Sequence, residues 1–270
     1  MSKLNRKKLI IVGYKSFIQL NLFNHLKKKF NVKKIKFVDL SQNIIKNSDL
    51  IINCSNTKNF YEKRYSRKFD RNLIISNLIK NSKIKLIILS SRQIYKPKLN
   101  LSEKSIPEPI NIYAKNCYKS EKLCQKIIKN KLLILRLSNI IGYESGRKKK
   151  ASLMSMIIKG IKKGIISFDN NYYLKKDFLP INLFCLYIEK LISKNICGIL
   201  NIGSGIPIKV NELVKTLVDV KKVKIIIKSK INFKDKDYSF KINKLQMITG
   251  IRTDKKKLKK YFFSLKRRIN

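Results

Sequence analysis

Short, continuous apolar runs separated by segments of helical periodicity constrain this chain more than any other feature. The runs are KLIIVG (Lys8–Gly13), IKFVDL (Ile35–Leu40), DLIINCS (Asp49–Ser55), LIILSS (Leu86–Ser91) and LLILRL (Leu132–Leu137). Between them, Ser16–Phe30, Phe69–Lys80 and Tyr113–Lys129 place apolar residues at helical spacing. A strand that is apolar on both faces must be covered on both, which is the situation of a parallel sheet between two helical layers. Right-handed crossovers then wind the chain into an α/β, Rossmann-like doubly wound sheet. After Gly142 the pattern changes to a basic loop (Arg147–Lys150), a helix over Ala151–Lys162, the strand and turn GILNIGSG, the helix VNELVKTLVDV, and a β-rich run followed by a basic terminal helix. The expected division is residues 1–145 and a small mixed C-terminal lobe, 146–270, that contributes in part to the same core.

Composition limits the function classes. With 270 residues and 44% hydrophobic content the chain can bury a full-sized core. The formal charge of +47 would suit a nucleic-acid or membrane binder. The lysines are spread over the whole length, however, and the chain is crowded with Lys, Ile and Asn while it has 9 Gly, 5 Pro and no Trp. An AT-rich genome produces those biases through codon choice, so no specific nucleic-acid partner is expected; small anions such as nucleotides would still be attracted. Five cysteines without a C-x-x-C pair, and His25 as the only histidine, argue against a metal site and suit a reducing compartment. The greasiest stretch, FLPINLFCLYI, is interrupted by Pro180 and Asn182 and falls short of the ~20 residues of a spanning helix. LIIVG is too short for a signal peptide, so a cytoplasmic protein without membrane insertion is expected.

The turn after the first run reads GYKSFIQ, Gly13–Gln19. A dinucleotide-binding turn uses three glycines: for the tight turn, for backbone approach to the pyrophosphate, and for close helix–strand contact. Only Gly13 is present; Ser16 and Gln19 hold the other two places. Ser16 can still donate to phosphate at a helix N-terminus. Gln19 is expected to push the helix off the sheet. An ordinary strand–helix turn explains the stretch equally well.

The order of the segments resembles the extended short-chain dehydrogenase/reductase family, the NAD-dependent epimerase/dehydratases that act on nucleotide sugars. The resemblance covers about residues 8–250. IIVGYKSFIQ resembles the family's glycine-rich turn, DLIINCS its D-x-V-x-H-x-A strand, and Asn72 stands where the family has an asparagine. LSSRQIYKP is similar to S-S-x-x-V-Y-G, SEKSIPEPINIYAKNCYKSEKL to the E…P-x-x-x-Y-x-x-x-K…E block, RLSNIIG to R-x-x-N-x-x-G, KDFLPI to R-D-F-I-H-V, and NIGSG is nearly verbatim. The resemblance implies NAD or NADP as cofactor. Its contacts would be Gly13, Ser16, Phe17, Ile18, Asp39 on the adenosine ribose, Asn53, Cys54, Ser55 and Asn72. Lys33, Lys34 and Lys36 leave a 2′-phosphate open. Asn139, Arg147 and Asp177 would meet a nucleotide-sugar substrate, and Arg136 is either a phosphate ligand, a surface cation or structural. Relatives often pair through two helices per subunit, so Tyr113–Lys129 could form a homodimer.

The stretch NIYAKNCYKSEKL carries the main departure. In the family a tyrosine moves the proton, a serine aligns the same oxygen, and a lysine at i+4 lowers the tyrosine's pKa from ~10. The flanking Pro109, Glu121 and Leu123 make Tyr113 that tyrosine, Ser91 that serine, and Cys117 the occupant of the lysine position. Tyr118 and Lys122 have the right spacing, but five residues turn a helix by ~140° beyond a whole turn, away from Ser91. The resemblance therefore implies an epimerase, dehydratase or reductase of sugar-nucleotide or surface-polysaccharide metabolism. The losses at Cys117 and in the glycine turn leave a catalytically impaired binder of a nucleotide, sugar or protein as the alternative.

Overall fold

The computed structural model describes residues 6–143, 153–168, 172–219, 222–228 and 236–269. In chain order the first half runs β1 (Lys8–Val12), α1 (Phe17–Leu26), β2 (Asn31–Ile35), α2 (Gln42–Ile45), β3 (Leu50–Asn53), α3 (Lys58–Glu62), α4 (Arg71–Leu78), β4 (Lys85–Ser91), α5 (Ile112–Ile128), β5 (Leu132–Leu137) and β6 (Asn139–Ile141). The second half adds α6 (Leu153–Lys163), β7 (Ile165–Phe168), β8 (Lys175–Pro180), α7 (Ile181–Lys194), β9 (Gly198–Ile202), β10 (Pro207–Lys209), α8 (Val210–Leu217), β11 (Lys224–Ile227), α9 (Asn243–Thr249) and α10 (Lys255–Ile269).

Six strands form one parallel sheet in the order β2-β1-β3-β4-β5-β9. Alternate residues of each strand feed opposite faces. Leu9 and Ile11 join Leu22, Leu26, Phe184 and Ile188 under α1 and α7, whereas Ile10 and Val12 join Ile75, Ile88 and Cys124 under α4 and α5. This is the doubly covered α/β sheet that the apolar runs predict. The predicted second strand, 35–40, is displaced: the strand is NVKKI, Asn31–Ile35, and Phe37–Asp39 is a short 3-10 turn. An edge strand pairs on one side only and needs few apolar residues, so its lysines stay exposed while Ile35 alone is fully buried.

FLPINLFCLYI is the end of β8 joined to α7, which lies against α1. Glu189 of α7 is 2.7 Å from His25 of α1 and 2.6 Å from Lys29 in the turn that follows it, tying the two helices together. The three-stranded sheet β10-β8-β6 and the pair β11-β7 enclose a second core around Phe168, Phe178, Leu213 and Phe262. β9 from the second half completes the main sheet beside β5. The carboxyl ends of β1, β3 and β4 bring Gly13, Cys54 and Ser91 to one edge of the sheet, where open α/β sheets place their ligands.

Candidate active site

Helix α5 begins at an Asn111 cap, whose side-chain oxygen accepts from the Ala114 N–H at 2.8 Å. From there Tyr113 and Cys117, one turn apart, face the end of β4. The Tyr113 hydroxyl lies close enough to the Ser91 hydroxyl and the Cys117 thiol for both to act on its pKa, so the structure brings the three predicted residues together. Burial first, then the Cys117 and Tyr61 groups beside it, push the Tyr113 pKa well above the ordinary tyrosine value; the Ser91 hydroxyl opposes this only in part. Cys117 is 4% exposed, and burial pushes its thiol up to about 12. Both groups are therefore protonated at neutral pH. Tyr61 of α3 stacks on the Tyr113 ring at 4.9 Å between centroids, and Phe60 meets it edge-on at 6.5 Å. Lys122 instead lies over the ring of its neighbour Tyr118 at 5.4 Å, near the 103–107 loop, so this pair does not substitute for the missing lysine.

At the glycine turn, Ser16 caps α1 by accepting from the Gln19 N–H at 3.2 Å. Gln19 is accommodated between the strand end and α1. Its side chain is 2% exposed, and its amide donates to the Gly13 carbonyl at 2.8 Å and to that of Ile11 at 3.4 Å. The amide thus fills the crevice and satisfies strand-end carbonyls. The Cys54 Cβ lies beside Gly13, and Phe17 reaches across to Gly142. Ile18 is half-buried in the first turn and packs on the sheet core.

Several predicted contact residues are committed elsewhere. Asn53 accepts from Ser55 and donates to Asn72 at 2.6 Å; Asn72 donates to Ser120, and Ser120 to Asp70. This buried chain fixes β3, α4 and α5 relative to one another. Asp39 is exposed in the turn after β2, and Lys36 takes the first place beyond the strand. The fully buried Asp177 carboxylate accepts from the Ser204 N–H and hydroxyl and from the Gly205 N–H, so it anchors the NIGSG turn instead of facing the cleft. A side chain on Gly203 would stand 2.5 Å from that carboxylate, which explains the glycine. Asn139 reaches the Asp177 carbonyl at 3.4 Å. Arg136 is buried in a bidentate pair with Glu121, 2.6 Å at its shortest, and also donates to Tyr95. Of the alternatives for Arg136, the structural one holds. Arg147 lies outside the described residues.

Two residues that the motifs did not single out come together beyond the end of β4. Arg92, directly after Ser91, lies 3.7 Å over the Tyr238 ring. Lys176 of β8 is half-buried, and burial together with the nearby Arg92 charge holds its amine down to about 8. Among the described residues no carboxylate pairs with either cation. Two adjacent, partly desolvated like charges are costly alone and suit an anionic ligand.

The chain matches the NAD dependent epimerase/dehydratase family over residues 7–179. It belongs to that family. Solved structures share the fold across nearly the whole chain at low identity. The UDP-N-acetylglucosamine 4-epimerase from Methanobrevibacter ruminantium M1, in complex with UDP-N-acetylmuramic acid, has TM-score 0.80 at 18% identity, covering 98% of each chain. RMD from Pseudomonas aeruginosa, complexed with NADPH, has TM-score 0.80 at 17% identity, covering 97% of this chain and 98% of that one. The dTDP-glucose 4,6-dehydratase from Bacillus anthracis str. Ames, in complex with NAD, has TM-score 0.79 at 15% identity, covering 97% and 96%. A comparison with curated proteins finds no match.

The family's dinucleotide end has a counterpart in this chain. Gly13 presents no side chain at the turn, the first turn of α1 contains no acidic residue, and Lys15 flanks it. Those groups fit a diphosphate. A hollow of about 850 Å³ is at the opposite, amino end of the sheet. There the amines of Lys7 and Lys131 are held by backbone carbonyls near the ends of α7 and α4. Among the described residues no helix is long and apolar enough to cross a membrane.

Proposed function

We propose that the chain is an NAD(P)-dependent oxidoreductase acting on a nucleotide sugar, working chiefly as a reductase of a sugar carbonyl. The observation that carries this reading is the placement of Tyr113 beside Ser91 at the carboxyl end of β4, where burial holds Tyr113 protonated. A reduced nicotinamide supplies a hydride when bound. Ser91 donates a hydrogen bond to the substrate oxygen and fixes its position. Tyr113 gives its proton to that oxygen as negative charge develops there, leaving a hydroxyl, and is reprotonated from solvent. Oxidation of a hydroxyl would require the tyrosinate, which the burial of Tyr113 makes scarce. The family as a whole covers both directions; the protonation state favours reduction here. Arg92 and Lys176 hold the negative groups of the nucleotide sugar, offsetting the cost of placing two cations side by side.

The alternative is a non-catalytic descendant that binds a nucleotide sugar. Cys117 in the lysine place and the cover of Tyr61 and Phe60 over Tyr113 favour it. The two readings separate in one experiment, a screen of nucleotide sugars by thermal shift alongside nicotinamide turnover. Ligand-dependent stabilisation with turnover that Tyr113→Phe abolishes supports the enzyme. Stabilisation without turnover, in wild type and Tyr113→Phe alike, supports the binder. No stabilisation by any nucleotide sugar defeats both.

A further inference from the structure

We infer that this chain selects NADP(H) over NAD(H), through a lysine cluster that receives the 2′-phosphate of the adenosine ribose; the inference rests on the cofactor reading just given. A shallow hollow of about 160 Å³ opens beside the glycine turn, with Gly13, Tyr14, Lys15, Lys34 and Lys36 in its lining. The Gly13 N–H donates to the Ile35 carbonyl at 2.8 Å, which pins the end of β2 against the turn. The residue that follows, Lys36, therefore takes the place from which a carboxylate would bind the ribose hydroxyls of NAD. Asp39, the nearest acidic candidate in sequence, sits beyond it in the exposed turn and does not line the hollow.

The amines of Lys15 and Lys36 lie 5.6 and 5.2 Å from the centroid of the same Tyr14 ring, so both stand beside that ring at the edge of the hollow. Lys34 extends from the same end of β2, its amine 4.2 Å over the Phe23 ring. Lys15 has φ +46, in the left-handed region that disfavours residues with a side chain. A lysine kept there is more readily explained by what its amine binds than by the backbone. Among the described residues none of the three is paired with a carboxylate. Three ammonium groups around an otherwise open hollow offer a dianionic phosphate charge-assisted hydrogen bonds, and they offer a plain ribose no acceptor.

The chain's overall charge attracts any phosphate, so the test must separate placement from charge. Nicotinamide fluorescence is titrated with NADPH and NADH, and bound NADPH is then displaced with 2′,5′-ADP or 3′,5′-ADP, isomers of equal charge. The expected result is NADPH binding tighter than NADH by ~10-fold or more at low salt, a gap that shrinks as salt rises. The 2′,5′ isomer should displace better than the 3′,5′ isomer. Lys36→Asp should remove or invert the preference, and Lys34→Gln, at an exposed strand position, should reduce it. Equal or tighter binding of NADH, or equal displacement by the two isomers, overturns the inference while leaving the cofactor reading intact. Failure of a folded sample to bind either nicotinamide form overturns both.

Discussion

Cys117→Lys restores the cation that the geometry lacks, and its consequences can be worked from the structure. Cys117 is close enough to Tyr113 to act on its pKa, so the longer side chain of a lysine at this position can bring its ammonium to ~4 Å from the hydroxyl. Two unit charges ~4 Å apart interact by ~4 kcal/mol at an effective dielectric of ~20, which corresponds to ~3 pKa units as a ceiling. Allowing for desolvation of the new amine, a lowering of Tyr113 by ~1–2 units is expected. Glu121 and Asp70 are close enough to act on position 117 and would favour the lysine's charged form. The site is tight, beside Phe60 and Ile94, so the larger side chain should cost ~1–3 kcal/mol of stability. General acid–base steps contribute ~10²–10⁴-fold, so single-turnover nicotinamide conversion should rise by ~10–10²-fold in the variant. Cys117→Met controls for size. A folded, cofactor-binding Cys117→Lys protein with no gain on any substrate that the wild type processes would refute the reasoning. So would a gain that survives Tyr113→Phe in the double variant, because the lysine would then be acting by another route.

Three further outcomes follow from the same geometry. Arg136→Met leaves Glu121 charged and buried, and should cost ~3–5 kcal/mol, lowering Tm by ~10 °C in a chain of this size; a loss below ~1 kcal/mol in urea denaturation would show that the pair is not what holds α5 to β5. The free protein's affinity for a nucleoside diphosphate should fall as pH rises through about 8, because Lys176 is charged below that value and neutral above it, with the midpoint shifted upward in the complex; calorimetry giving a flat profile across that interval would remove Lys176 from the site. Lys115, Lys119, Lys122 and Lys126 share the exposed face of α5, so two copies pairing there would repel, and light scattering at low ionic strength should find no dimer through this face; a dimer that is dispersed by changing these four residues would contradict this.

The sheet was legible because its strands are buried on both faces: LIIN, KLIIV and LLILRL admit no other environment, and helices α4 and α5 keep their periodicity between them. The edge strand β2 was misplaced because one covered side demands little of its sequence, and IKFVDL is the more apolar string nearby. Helix α7 was hidden inside a run that also contains the end of β8, since a helix buried in the α1 layer loses its polar stripe. Ser91, Tyr113 and Cys117 were proposed only through the family resemblance, and they stand near one another because all three sit on regular elements. The places of Asp177 and Asn72 were not legible, because a buried carboxylate anchoring a turn and a ligand-facing one leave the same letter in the sequence. Arg92 carried a weak signal in its adjacency to Ser91; Lys176 needed β8 to fold beside it before the two charges met.

The central claim is proton transfer by Tyr113 in a nucleotide-sugar oxidoreductase, and single-turnover kinetics test it most directly. Enzyme in excess over reduced nicotinamide is mixed with individual nucleotide ketosugars, and nicotinamide absorbance is followed for wild type, Ser91→Ala and Tyr113→Phe. The account predicts slow conversion with at least one nucleotide sugar, a smaller rate in Ser91→Ala, and at least ~10²-fold loss in Tyr113→Phe with cofactor binding unchanged. Conversion at the wild-type rate in Tyr113→Phe would contradict it, as would no conversion in a protein that binds both cofactor and sugar nucleotide.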